Sequence, residues 1–273
     1  MAKYSIIYYL GFILLFLFII YISLYIWNYS IRSNKVNYKL ENFDNDQIPK
    51  IIIQTWKSNI IPYKYKNDVY TMRKYNNTYK YLFFNDNDIE KFLKKYYLNT
   101  YYKSYKKLPV IIQKIDYFRY IAVYHYGGFY FDLDMKGYFP IDELLKYDCV
   151  FPYEQKIDNN KCKSNRFKNF CKKNVKFILG QYAFGAKPQN DFIKTLIEKI
   201  HNNVDNYIVE YDKIKENKDK NIYHEYIYST TGPDFVTNVY HNYKNKKDIK
   251  ILYYNVPHHF GKFAKHNFYG TWK

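Results

Sequence analysis

The sequence predicts an α/β domain behind an N-terminal transmembrane helix. Three observations carry this. Short β-branched or aromatic runs alternate with segments of helical spacing from residue 48 onward. Residues 4–31 hold no charged side chain and are dense in Ile, Leu, Phe and Tyr. The 273-residue chain is 48% hydrophobic, enough for one substantial core besides an anchor.

The elements follow in order. Residues 1–4 are a short tail. Residues 5–27 read as an uncleaved signal anchor. Its apolar core, from Ile6 to Trp27, rises about 33 Å as a helix, enough to cross a hydrocarbon layer. Tyr25, Ile26, Trp27 and Tyr29 close the run as an interfacial aromatic belt, where a cleaved signal would show small residues. Flanking charge leaves orientation open, with Lys3 on one side and Arg32, Lys35 and Lys39 on the other. Residues 28–47 are a polar stem, and residues 48–273 form the globular α/β domain.

Within that domain, Pro49 to Trp56 reads as a buried first strand and Pro62 to Tyr75 as a helix. Tyr79 to Phe84 is a second strand, followed by a helix to about Tyr97 with Asp86 or Asp88 as its cap. Pro109 begins the clearest helix, in which Val110, Ile111, Ile115, Phe118, Ile121 and Ala122 keep helical spacing. Gly127-Gly128 ends it. Phe129 to Phe131 is a short strand. Phe177 to Ala186 is one further strand, Phe192 to Ile200 a helix, and Lys250 to Tyr254 a late strand. Residues 155–176 and 211–221 read as loops or exposed helix.

The formal charge of +18 does not mark a nucleic-acid protein. Of 43 basic residues only Arg32, Arg73, Arg119 and Arg166 are arginine, and the lysines are scattered. Lys, Asn, Ile, Tyr and Phe share A/T-rich codons, so genome bias accounts for much of the basicity. The charge would still attract nucleotide diphosphates and anionic headgroups. Three cysteines, Cys149, Cys162 and Cys171, exclude a full disulfide framework and show no metal spacing. Cys162 and Cys171 could bridge in an oxidising lumen, or all three could be free thiols.

Chemistry concentrates in Tyr126-Gly127-Gly128-Phe129-Tyr130-Phe131-Asp132-Leu133-Asp134. Two carboxylates one residue apart, where a strand ends and the chain turns, can reach one ligand. Such hard oxygens suit Mn²⁺ or Mg²⁺ carrying a diphosphate. Upstream, Asp116 and Arg119 share a helix face, either as a surface ion pair or as a grip on sugar and phosphate oxygens. His125 reads as a packed residue. His258 and His259, after Pro257, are further candidates to reach the site, and Asp234 reads as a helix cap.

These residues resemble glycosyltransferase family 32, which includes the yeast Golgi initiating α-1,6-mannosyltransferase and inositol phosphorylceramide mannosyltransferases. Asp116 to Arg119 and Tyr126 to Asp134 are similar to its D-x-x-R and Y-G-G-x-Y-x-D-x-D signatures. Ile48 to Trp56 resembles its opening, Thr231-Gly232-Pro233 its T-G-P, and His266 to Trp272 its closing H-x-x-x-G-S-W. Giant-virus and protist members share the same Lys-, Asn- and Tyr-rich look, so such an origin is an expectation.

The resemblance implies a GT-A fold, Mn²⁺ or Mg²⁺, a nucleotide-sugar donor and retention of configuration. It implies Asp134 as principal metal ligand, with Asp132 and His266 beside it, and Asp132, Asp134 and Arg119 as the catalytic set. Trp56, Asp116, Arg119, Asp132, Gln181 and Trp272 would bind the donor. Two positions depart from the pattern. Ile53 stands where the opening has His, and Gln181 where the family has Asn. The expected activity is hexose transfer, mannose from GDP-mannose, to a glycan or sphingolipid-type acceptor. A UDP-sugar enzyme or an inactive membrane-tethered scaffold are the alternatives. The expected setting is a single-pass protein of the Golgi or ER with a lumenal domain.

Overall fold

The computed structural model describes residues 11–24, 47–217, 219–253 and 259–270. Residues 11–24 are helical (α1) with exposed side chains. That length rises only about 21 Å. Among the described residues no helix is long and apolar enough to cross a membrane. The expected span also includes residues 5–10 and 25–27, and these lie outside the described residues, as do the tail and nearly all of the stem.

From residue 47 a mixed sheet organises the chain. Its strands are β1 (Ile51–Thr55), β2 (Lys80–Phe84), β3 (Gly128–Phe131), β5 (Cys149–Lys156), β6 (Phe177–Leu179), β7 (Ala183–Ala186) and β8 (Ile249–Leu252). The order is β2-β1-β3-β7-β5-β6, with β8 on β5. β1 pairs in parallel with β2 and β3, and β7 runs antiparallel between β3 and β5. A separate antiparallel pair joins β4 (Met135–Gly137) to β9 (Ala264–His266).

Strand alternation sorts the core into two faces. Ile51, Ile53, Leu82, Phe84, Tyr130 and Phe184 face one cluster. Ile52, Tyr81, Phe83, Phe129 and Phe131 face the other. The first is covered by α3 (Asp86–Tyr97), α4 (Tyr101–Lys107), α5 (Ile111–Tyr126), α7 (Asp191–Ile214) and α9 (Pro233–Asn242). The second is covered by α2 (Tyr63–Tyr75) and by the segment around Phe260 and Phe263. The remaining helices are α6 (Asn165–Lys172) and α8 (Lys220–Thr230).

Several expectations are corrected. Asn85, not Asp86 or Asp88, caps α3. Its side chain accepts the Asp88 N–H while the Asp88 carboxylate accepts the Asn85 N–H. The clearest helix starts at Ile111, two residues after Pro109. The run from Phe177 to Ala186 is two strands that pair with different parts of β5, broken at Gly180-Gln181-Tyr182. The helix expected over Phe192 to Ile200 runs from Asp191 to Ile214 (α7), into the segment read as loop or exposed helix. Cys162 and Cys171 are joined as a disulfide in a small lobe around Phe167 and Phe170, while Cys149 is a buried free thiol.

Gly127 and Gly128 both have positive φ, at 66° and 89°. A Cβ at Gly128 would meet the Ile51 carbonyl oxygen at 2.5 Å. Only glycine lets α5 turn this sharply into β3 beside β1. That turn brings Asp116 and Arg119 on α5 alongside the carboxylates after β3.

Candidate active site

Helical spacing on α5 aims Gln113, Asp116 and Tyr120 at the end of α8. Gln113 Nε2 donates to Thr230 Oγ1 at 2.8 Å, Thr231 Oγ1 donates to Asp116 at 2.8 Å, and the Tyr120 hydroxyl donates to the Thr231 carbonyl at 2.8 Å. The Thr-Gly-Pro motif is thus the buried counterpart of this helix face.

Asp116 is 1% exposed and Arg119 4%. Arg119 lies 3.1 Å from Asp116 and 3.4 Å from Asp132, and donates to the Gln181 carbonyl at 3.1 Å. Its guanidinium also stacks 4.6 Å from the centre of the Tyr130 ring. The surface ion-pair alternative is excluded by this enclosure. Burial pushes the Asp116 carboxyl up to about 6, although Arg119 and Thr231 pull it down. Burial likewise raises Asp132 against the pull of Arg119, with Asp134 adding to the rise.

Asp132 is the open member of the group, its side chain 29% exposed. The Tyr130 hydroxyl donates to it at 2.8 Å. Gln54 Nε2 donates to its carbonyl at 3.2 Å, and Gln54 itself is oriented by the Tyr81 hydroxyl. Asp134 accepts the Tyr269 N–H at 3.0 Å and faces His266 Nε2 at 3.2 Å. Burial alone would raise its carboxyl, but His266 and the Tyr269 N–H hold it below its ordinary value.

Asp132, Asp134 and His266 offer ligand atoms within 4.8 Å of one another. The register Met135 opposite His266, between β4 and β9, brings the histidine there. Its ring stacks on Tyr182 at 4.3 Å. Two carboxylates and an imidazole are a donor set that fits Mn²⁺ or Mg²⁺, Mn²⁺ the better for the nitrogen.

The expected residues sort as follows. Asp116, Arg119, Asp132, Asp134 and His266 converge. Trp56, just after β1, packs on Tyr65 at 5.1 Å, and Tyr65 on Tyr269 at 5.4 Å, so rings link it to the Asp134 loop. Gln181 is buried, its Oε1 accepts the Tyr120 O–H at 2.6 Å in common with the Thr231 carbonyl, and its side chain also hydrogen-bonds Asp116. Its carbonyl, which any residue would supply, holds Arg119. Ile53 is core, so the polar contact of the family's His is absent there. Trp272 and His258 lie outside the described residues. His259 Nδ1 accepts the His266 N–H at 3.3 Å, so it supports the site from behind. His125 is packed between Phe92, Tyr96 and Tyr126, and burial lowers it to about 4. Asp234 sits in the first turn of α9 but takes a bidentate pair from Arg166, at 2.8 and 2.6 Å, with Gly232 as the cap residue.

Sequence reasoning missed Gln54, Tyr130 and Asp68 as supporting residues. Asp68 accepts from Asn267 at 2.9 Å, which pins the loop that carries Tyr269. A polar residue inside a β-branched run was the available signal for Gln54. Asp68 gave none.

Residues 62–151 match the family described as "Glycosyltransferase sugar-binding region containing DXD motif". Inositol phosphoceramide mannosyltransferase 1 of Schizosaccharomyces pombe is 35% identical over 116 residues, 41% of this chain and 36% of that protein. Initiation-specific alpha-1,6-mannosyltransferase of Candida albicans is 30% identical over 122 residues, 42% and 32% of the two chains. Mannosyl phosphorylinositol ceramide synthase CSH1 of Saccharomyces cerevisiae is 25% identical over 197 residues, 72% and 43%. The chain thus spans well under half the length of these relatives. A solved structure, "PaToxG Glycosyltransferase", aligns with a TM-score of 0.48 at 16% identity, over 80% of this chain and 76% of that one. In its sugar-binding region the chain is similar to DXD glycosyltransferases, with yeast mannosyltransferases among its relatives, as the motifs predict.

Proposed function

We propose that this chain is a metal-dependent, retaining glycosyltransferase with a GT-A-type donor site. In this reading it moves mannose from GDP-mannose to a glycan or glycolipid hydroxyl. The observation that carries it is the Asp132, Asp134 and His266 group beside the enclosed Asp116–Arg119 pair. The mannosyltransferase names among the relatives support the choice of sugar.

Asp134, Asp132 and His266 would hold the ion, and a bound divalent cation supplies Lewis-acid stabilisation to a diphosphate leaving group. The protein's own work is positioning. Arg119 keeps Asp116 and Asp132 charged and fixed in direction, since each would otherwise be a buried acid without a cation. Asp116, anchored by Thr231, presents a directed acceptor to donor-sugar hydroxyls. Tyr130 sets the rotation of the Asp132 carboxylate. Trp56 offers an aromatic face for the nucleotide base.

The reading includes a signal anchor over residues 5–27 and a lumenal domain in the Golgi or ER. The exposed apolar surface of α1 supports the anchor. The Cys162–Cys171 disulfide supports an oxidising compartment. Alkaline extraction of the full chain from microsomes tests the anchor, with retention in the pellet expected and release into the supernatant against it.

The deciding experiment offers a panel of nucleotide sugars with Mn²⁺ and with chelator, and measures nucleotide release. Metal-dependent release from GDP-mannose is expected. Release from a UDP-sugar alone would replace the donor. No release from any donor, with acceptors present, would make the chain a scaffold.

A further inference from the structure

The three acids of the donor site, and Asp234 nearby, are each held by the protein's own groups. Asp116 has Thr231 and Arg119, Asp132 has Tyr130 and Arg119, Asp134 has His266 and Tyr269, and Asp234 has Arg166. Glu154 is different. It is half-buried near the end of β5, and its carboxylate makes no hydrogen bond or direct ion pair with any described residue.

Its position is built by the backbone. The β5–β6 register shifts between Tyr153 and Gln155, so Glu154 stands at a β-bulge. Bulges re-aim a side chain and recur beside active sites. Val150 faces the cluster that contains Tyr182, whereas Phe151 and Tyr153 face the opposite one. His266, which stacks on Tyr182, lies within electrostatic reach of the Glu154 carboxylate at this bulge. The Gly180 N–H donates to the Pro152 carbonyl at 2.9 Å, which holds the Gly180-Gln181-Tyr182 break against this part of β5. Arg166, Asp234, His266 and Lys161 all lie within electrostatic reach.

We propose that Glu154 binds the acceptor, accepting hydrogen bonds from hydroxyl groups of the polyol to which the sugar is transferred. The proposal rests on the transferase reading above and assigns that site its second substrate. An ionised carboxylate is acceptor-only and suits paired sugar or inositol hydroxyls. A half-buried carboxylate without a partner is unfavourable until a ligand satisfies it. Burial, outweighing the pull of Arg166, pushes this carboxyl up to about 7, so a hydroxyl donor would favour its charged form. The stacked Tyr182 and His266 rings would give the apolar wall that a sugar face also needs.

The test uses full-length protein with GDP-mannose and Mn²⁺. Transfer and hydrolysis are measured together, with methyl α-mannoside or inositol phosphoceramide in detergent micelles as acceptor. The ratio of transfer to hydrolysis cancels effects confined to the donor site. Glu154→Ala should lower that ratio, and raise the acceptor KM, by about 10- to 100-fold, the range for losing a hydrogen bond to a charged group. Glu154→Gln keeps the shape and one acceptor oxygen, so its fall should be smaller, and it carries the test where the alanine variant does not fold. The acceptor that shows the larger fall identifies the polyol as glycan or inositol headgroup. A ratio within twofold of wild type in the folded variants would overturn the assignment. Wild-type protein that releases no nucleotide would instead overturn the transferase reading beneath it.

Discussion

Replacing Asp116 with asparagine should stabilise the fold at neutral pH and disable the site. Asp116 is 1% exposed, and its carboxyl is raised by burial from 3.8 to about 6 despite Arg119. The folded state therefore holds the Asp116 proton more tightly than the unfolded chain does. The contribution of Asp116 to stability therefore falls as pH rises from the unfolded value through about 6, then stays level. At about 1.4 kcal/mol per pH unit, the ionised carboxylate costs the folded state about 3 kcal/mol at pH 7.5 and about half that at pH 5. The asparagine side chain of the variant does not titrate. Urea unfolding of both proteins at the two pH values should show the variant's relative stability growing by about 1 kcal/mol between pH 5 and 7.5. The difference between pH values removes constant packing effects of the substitution. Donor turnover at pH 7.5 should fall at least about 100-fold, because a directed charged acceptor is lost. A stability difference that is flat with pH, or shrinks as pH rises, would refute the buried-acid argument. Full turnover in the variant would refute the assigned grip on the sugar.

Asp134→Ala should abolish Mn²⁺ binding in a calorimetric titration and stop metal-dependent nucleotide release, while circular dichroism stays native. Arg166→Ala leaves Asp234, 7% exposed in its side chain, without its bidentate partner, and should cost about 3–5 kcal/mol in urea unfolding. Gly128→Ala forces a Cβ against the Ile51 carbonyl at a φ of 89°, and should lower the thermal midpoint by more than any exposed Gly→Ala change. Opening the Cys162–Cys171 loop, closed across a sequence separation of 9, by Cys162→Ser should cost about 2–3 kcal/mol and expose the Phe167–Phe170 lobe to proteolysis.

Most of the candidate site was legible because its residues cluster in short motifs. The Gly-Gly break, the aromatic strand and the paired aspartates are contiguous, and Asp116 and Arg119 share one helix face. The strands β1, β2 and β3 were legible for a similar reason, since each is a buried run with clear punctuation. What escaped depends on distant partners. The run around Gly180 is apolar throughout, so periodicity saw one strand. The break follows from β5 pairing with different elements along its length. Asn85 was hidden as a cap by two aspartates just after it. Gln181 was legible only by position, and its side-chain partners, Tyr120 and Asp116 on α5, are far away in sequence. The helices α8 and α9 carry Tyr, Asn and Thr, which do not announce helix.

The strand pairing that delivers His266 has a consequence for biosynthesis. Tyr269 and Asp134 are 135 residues apart, and β9 meets β4 only once both have left the ribosome. A nascent chain paused after α9 would have its sheet largely assembled and its two aspartates in place, yet lack the imidazole and the clasp around them. Such a chain would lack the third side chain of the Asp132, Asp134 and His266 group. Proteolytic nicking between Phe263 and His266 would loosen the same pairing, so β9 couples the candidate site to the integrity of a strand far along the chain.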